Sequence, residues 1–271
     1  MKELFIIGGA GVLGYALRTF SHPLVRRAGA LCYLAASYLG GWLLTGSHVA
    51  GAAAVAAWFL LPWVEIVLRV RKLRLPLIWE PQERNPPNRR DFPHLHELTG
   101  ELEQEGFEQT DDAGLDWEQM RQFLRVCYHA PSQTQAVIHL NQQGKFSVVF
   151  VTVTCRTKDG RTITSSNYPF SQTLKSPPNV LLYPVPGADS FAELLAEHRA
   201  TLADLGVGET DLTSPGAEGL AQQLQADLDS QVQHNLGQGV IVANGDGTFR
   251  YSWRGCFFLW GQYLRDMVRF A

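Results

Sequence analysis

Residues 5–18, FIIGGAGVLGYALR, admit two incompatible folds. Gly9-Ala10-Gly11-Val12-Leu13-Gly14 has the G-x-G-x-x-G spacing that opens a dinucleotide-binding βαβ unit. In that unit the glycines let backbone N–H groups approach a pyrophosphate, and an acid about 20 residues later holds the ribose. Here no acidic side chain occurs between Glu3 and Glu65, and residues 29–36 read GALCYLAA. Only Leu4 to Ile7 could supply the preceding strand. A membrane helix accounts for more of the stretch: it is uncharged from Leu4 to Leu17, and Ala10-x-x-x-Gly14 has the small-residue spacing that lets helices approach closely. The segment falls a little short of the ~20 residues that span a bilayer.

The same reading extends outward. Residues 4–70 carry only a few basic positions and Glu65, whereas the rest of the 271-residue chain is mixed and polar. This predicts a helical membrane anchor over residues 1–70, a basic, Pro-rich juxtamembrane linker over 71–91 and an α+β domain over 92–271. Three spans are expected, at Leu4–Phe20, Ala28–Leu44 and Val49–Leu68, the last two joined by a tight hairpin at Thr45-Gly46-Ser47-His48. Ala36-x-x-x-Gly40, Ser37-x-x-x-Gly41, Ala52-x-x-x-Ala56 and Ala53-x-x-x-Ala57 give the second and third spans small-residue faces, for packing within one chain, between copies or with a protein partner. Arg18, Arg26 and Arg27 flank the first connection, the second has no Lys or Arg, and Arg69, Arg71, Lys72 and Arg74 follow the third span. Positive residues favour the cytoplasmic side, which places the N-terminus outside and the large domain inside. Met1-Lys2-Glu3 makes a poor signal-peptide start, so a retained helix is expected.

Beyond Pro76, Pro81, Pro86 and Pro87 the pattern changes. Leu95, Leu98 and Leu102 share a helical face that stops at Gly106. Strands follow from Met120 to Phe170, with turns at residues 141–144 and 158–160, and another at NVLLYPV (179–185). Ser190-x-x-Glu193 is a capping box opening a helix, and Ser214-Pro215 opens a second, Gln-rich helix expected to be largely exposed. A hairpin crosses Asn244-Gly245-Asp246-Gly247. The aromatic C-terminal helix GCFFLWGQYLRDMVRF (255–270) is expected to pack on the sheet; its alternatives are to lie on the membrane or to dock another subunit, through Trp260, Arg265 and Arg269. Strands in succession followed by helices predict α+β with an antiparallel sheet.

Chemistry is sparsely marked. The net charge of −3, without a basic aromatic-interleaved block, argues against nucleic acid. Four single cysteines (Cys32, Cys127, Cys155, Cys256) form no C-x-x-C pair. His94 and His96 could ligate a metal, but H-E-x-x-H is broken by Gly100. Asp111, Asp112, Asp116 and Glu118 form an acidic cluster before a strand, suited to acid–base work or to capping. Glu65, the one acid in the anchor, either moves a proton or pairs with Arg69 at i,i+4. No cofactor is indicated. The expected role is an integral membrane accessory, scaffold or regulatory subunit presenting a cytoplasmic interaction domain. The alternatives are a membrane-associated enzyme, such as a metal-dependent hydrolase using the His94, His96, Asp111, Asp112 and Asp116 group, and a small transport subunit using Glu65.

Overall fold

Apolar side chains with nothing to cover them govern the first part of the chain. The computed structural model describes residues 2–20, 22–78, 82–88, 90, 92–117, 120–144, 146–214 and 216–270, so Pro81, Glu118 and Pro215 lie outside the described residues, as does the Arg26 side chain. Two compact units form: Met1–Leu73 with Arg250–Ala271, and Arg74–Phe249.

The first unit is helical, with α1 (Lys2–Arg18), α2 (Pro23–Thr45), α3 (His48–Leu68) and α7 (Trp253–Phe270). The G-x-G-x-x-G stretch lies inside α1, so its backbone N–H groups serve the helix and cannot cradle a phosphate. Pro23 starts α2, where a missing N–H costs nothing, and Gly46 ends it at φ 70°. Among the described residues, two helices are by length and composition apolar enough to cross a membrane, Arg27–Thr45 and His48–Lys72; Phe5–Arg18 is a shorter apolar helix. Glycines set their packing. A Cβ on Gly14 would lie 3.0 Å from the Gly29 carbonyl oxygen, and one on Gly41 2.5 Å from that of Ala50. Gly8, Gly9, Gly11 and Gly40 meet nothing within 4 Å. Trp58 Nε1 donates to Ser37 Oγ across the α2–α3 hairpin at 2.9 Å.

The C-terminal helix corrects the expectation that it packs on the sheet. α7 lays Trp253, Phe257 and Trp260 around Trp63 of α3, with ring centroids at 6.4, 4.5 and 5.9 Å. Trp260 Nε1 donates to the Phe59 carbonyl at 2.8 Å. Pro62 interrupts the α3 hydrogen-bond ladder next to that carbonyl.

The second unit confirms α+β. Ten-residue strands β3 (Glu108–Trp117), β4 (Met120–His129) and β5 (Thr134–Gln143) pair antiparallel in succession with β6 (Phe146–Thr157) and β7 (Thr162–Ser166), and β8 (Val180–Pro184) adds parallel to β7. Short β2 (Gln82–Glu83) caps the β3 edge, and β9 (Leu212–Thr213) pairs with β6. A small sheet runs in the order β1 (Leu75–Pro76), β11 (Thr248–Tyr251), β10 (Ile241–Ala243). Strand alternation splits the core. Phe123, Cys127, Ala136, Ile138, Val151 and Val153 face α4 (Leu95–Gln104) and α5 (Phe191–Asp204). Leu124, Val126 and Val137 face the opposite way, against Leu220 and Leu224 of α6 (Leu220–Gly237).

Two further expectations are corrected. Residues 108–117 form a strand, because β4 pairs along nearly its whole length and supplies arginines to its acids. The Gln-rich helix α6 is mostly half-buried rather than exposed. Its fully buried Asn235 clamps the 175 loop, accepting from Lys175 N at 2.9 Å and donating to Lys175 O at 2.8 Å.

Candidate functional site

The acidic group is dispersed by the strand that carries it. In β3, Asp112 and Asp116 project from one face, while Asp111 follows a bulge after Gln109 and sits on the other. Asp112 receives a fork from Arg125, Nε to Oδ1 at 2.8 Å and Nη2 to Oδ2 at 2.7 Å, with both side chains about 10% exposed. Arg125 Nη1 also donates to Thr99 Oγ1 of α4 at 2.9 Å, so the guanidinium ties helix to sheet. Asp116 takes a second fork from Arg84, at 2.7 and 2.5 Å, with Arg121 at 3.8 Å. The Arg84 hydrogen bond holds the Asp116 carboxyl below the usual carboxylate range, the opposite of what a general acid needs. His94 pairs with Glu97 on the surface, Nδ1 to Oε2 at 2.9 Å, and His96 is exposed on α4. Among the described residues no three His, Cys, Asp or Glu side chains come together to hold a metal.

Shallow cavities flank the segment that runs along the β3 edge. One, of about 230 Å³, is lined by Arg84, Asn88, Arg121 and Gln142; another, of about 430 Å³, by Glu83, Asp111 and Asp112. Among their lining groups, Arg84 and Asp112 are held in ion pairs with Asp116 and Arg125.

A buried hydrogen-bonded chain is the feature that sequence reasoning missed. Ser165 Oγ meets His198 Nδ1 at 2.9 Å, and His198 Nε2 meets Cys155 Sγ at 3.3 Å. Cys155 Sγ lies 3.2 Å from Thr134 Oγ1, which continues through Ser132 Oγ at 2.8 Å to His129 Nδ1 at 2.6 Å. Cysteine, histidine and orienting hydroxyl thus adopt the order of a nucleophilic triad. The environment denies the chemistry. His198 and Cys155 are 1% and 0% exposed, and burial pushes the thiol up and the imidazole down to about 4. Both are therefore neutral at pH 7, with no thiolate and no route for substrate. The signal available in sequence was His198 itself, four residues after Leu194 on an otherwise apolar stripe. His139 is a second neutral histidine, stacked on Phe150 at 4.3 Å and pushed down to about 3 by burial.

The residues at the end of α3 separate into two groups. Glu65 pairs with Arg69 at 3.1 Å, both side chains more than half exposed. Arg71 lies over the Trp253 ring at 4.0 Å. Lys72 ends the 3₁₀ turn that follows α3. Arg74 belongs to the second unit, where its Nη1 donates to Asp246 Oδ2 at 2.5 Å and its carbonyl accepts from Trp117 Nε1 at 2.8 Å. Arg265 is exposed on α7 and Arg269 half-buried in its last turn. No family model, curated protein or solved structure matches the chain. Geometry alone carries the functional argument.

Proposed function

We propose that the chain is an integral membrane protein whose α+β unit is a cytoplasmic interaction module, acting as an accessory, scaffold or regulatory subunit. One observation carries the reading: the helices are packed inside out. Among the described residues of α1, α2 and α3, those buried are Gly14, Gly29, Gly51 and Ile66. Large apolar side chains point outward instead, with Leu31 65%, Leu61 66% and Leu44 78% exposed. Water opposes an apolar surface of that extent, whereas hydrocarbon leaves small residues as the natural helix contacts. Arginines flanking the α1–α2 connection and following α3 support an outside N-terminus and a cytoplasmic second unit, with α1 as the shortest of three spans.

The interaction role rests on what the second unit offers. Asp112 and Asp116 are held in arginine forks and the Cys–His pair is sealed, which supports binding over turnover. The glycines of α1 and Gly40 that meet nothing support a further contact with a copy or a protein partner. Native mass measurement of full-length protein in mild detergent tests this. A stoichiometric assembly is expected, unchanged when His94 and His96 are replaced by Ala. A lone monomer carrying a metal that those substitutions remove would overturn the reading in favour of an enzyme.

A further inference from the structure

We infer that α7 is itself a membrane element, an interfacial helix seated among anionic phospholipid headgroups beside the end of α3; this rests on the membrane reading proposed above. One side of α7 is covered over its first half only, Tyr263 further along that side being 48% exposed. Cys256 and Leu259 are buried, while Trp253, Phe257 and Val268 remain 50%, 57% and 58% exposed. At 100° per residue these three fall with Trp260 and Leu264 on one apolar stripe, and exposed Arg254 and Arg265 follow along one flank of it. An apolar stripe edged by arginines is the pattern of a helix lying in the interface, its alkyl stems covering hydrocarbon and its guanidinium groups reaching phosphate.

Continuity with α3 identifies the occupant as lipid. Trp63 stacks on Phe257 at 4.5 Å, which joins the exposed stripe of α7 to exposed Leu60, Leu61, Val64 and Leu68 of α3. One apolar surface therefore runs from a candidate span onto the C-terminal helix. The Trp260 indole is satisfied internally by the Phe59 carbonyl, as a ring at the edge of hydrocarbon requires. Arg69, Arg71 and Lys72 stand where this surface ends, Arg71 above Trp253. Tryptophan and arginine together mark the headgroup level, and the basic set favours anionic over zwitterionic lipid. A chain so built is attached on both sides of residues 74–249, by α3 before and α7 after.

Nitroxide accessibility on full-length protein in proteoliposomes tests the assignment. Labels are placed at Phe257→Cys, Val268→Cys and, as a span control, Leu60→Cys, in a Cys32→Ala background; Val268 is distant from the Trp63 cluster, so its label spares that packing. The labels at 257 and 268 are expected to be reached by oxygen several-fold more than by a water-soluble nickel chelate, at a shallower depth than Leu60. Immersion should deepen when phosphatidylglycerol is added to phosphatidylcholine, and Arg254→Gln with Arg265→Gln should abolish that deepening. Nickel-accessible labels at 257 and 268 with Leu60 in lipid would overturn this inference and leave the anchor standing. A nickel-accessible Leu60 would overturn the anchor itself. Equal depth in both lipid mixtures would overturn the headgroup recognition.

Discussion

Arg125 and Arg84 each clasp an aspartate of β3 with two hydrogen bonds, yet burial makes them energetically unequal. The Arg125–Asp112 pair is about 10% exposed on both sides, whereas Arg84 and Asp116 are 29% and 53% exposed. Arg125→Ala strands a buried carboxylate and is expected to cost about 3–5 kcal/mol in chemical unfolding. Arg84→Ala leaves its aspartate to water and is expected to cost less than about 1 kcal/mol. Equal losses would contradict the burial argument. His198 makes a separate prediction about acid. Its imidazole is neutral in the fold and ordinarily protonates near pH 6.5, but folded it does so only near pH 4. Between those values the unfolded chain binds the extra proton, so stability is full above about pH 6.5 and falls as pH drops through this window, by about 3 kcal/mol. His139, held down further, adds in the same direction. Thermal melts at pH 7 and pH 5 should show the drop, and His198→Gln should flatten it; an unchanged slope would remove His198 as its source.

Among elements, legibility followed the strength of local pattern. The helix at 95–104, the strands from β4 through β8, α5 with Ser190 accepting from the Glu193 N–H, and the 241–251 hairpin were all readable, because period and turn chemistry agreed with tertiary demand. β3 was hidden because four of its ten residues are acidic; arginines from outside the strand pair with two of them, Asp112 and Asp116. The buried Ser165–His198–Cys155 chain was illegible because its members come from three elements and no spacing links them. α7 was misplaced for a simpler cause: amphipathic periodicity says that a face is covered but not by what. Close packing of α2 on α3 depends on Gly41 and not on its neighbour. Gly41→Val would drive a side chain into the Ala50 backbone and should destabilise the hairpin by about 1–3 kcal/mol, whereas Gly40→Val, in open space within the chain, should spare the hairpin and act only on assembly with a copy or partner. Equal effects would show that the helices do not meet at Gly41.

For the whole molecule, the decisive contrast is between the large side chains buried in residues 74–249 and the mainly glycine positions buried in α1–α3. Residues 74–249 follow the rule of water-soluble folding, with Leu102, Ile138, Ile163, Leu194 and Phe249 enclosed. The helices α1–α3 invert that rule. That difference in packing is the physical support for the proposed bilayer placement of α1–α3. Alkaline carbonate extraction of membranes containing the full-length chain tests that assignment most directly. The account predicts that the protein stays with the lipid pellet and is released only by detergent. Recovery in the carbonate supernatant, refolding on neutralisation to a water-soluble monomer, would contradict it.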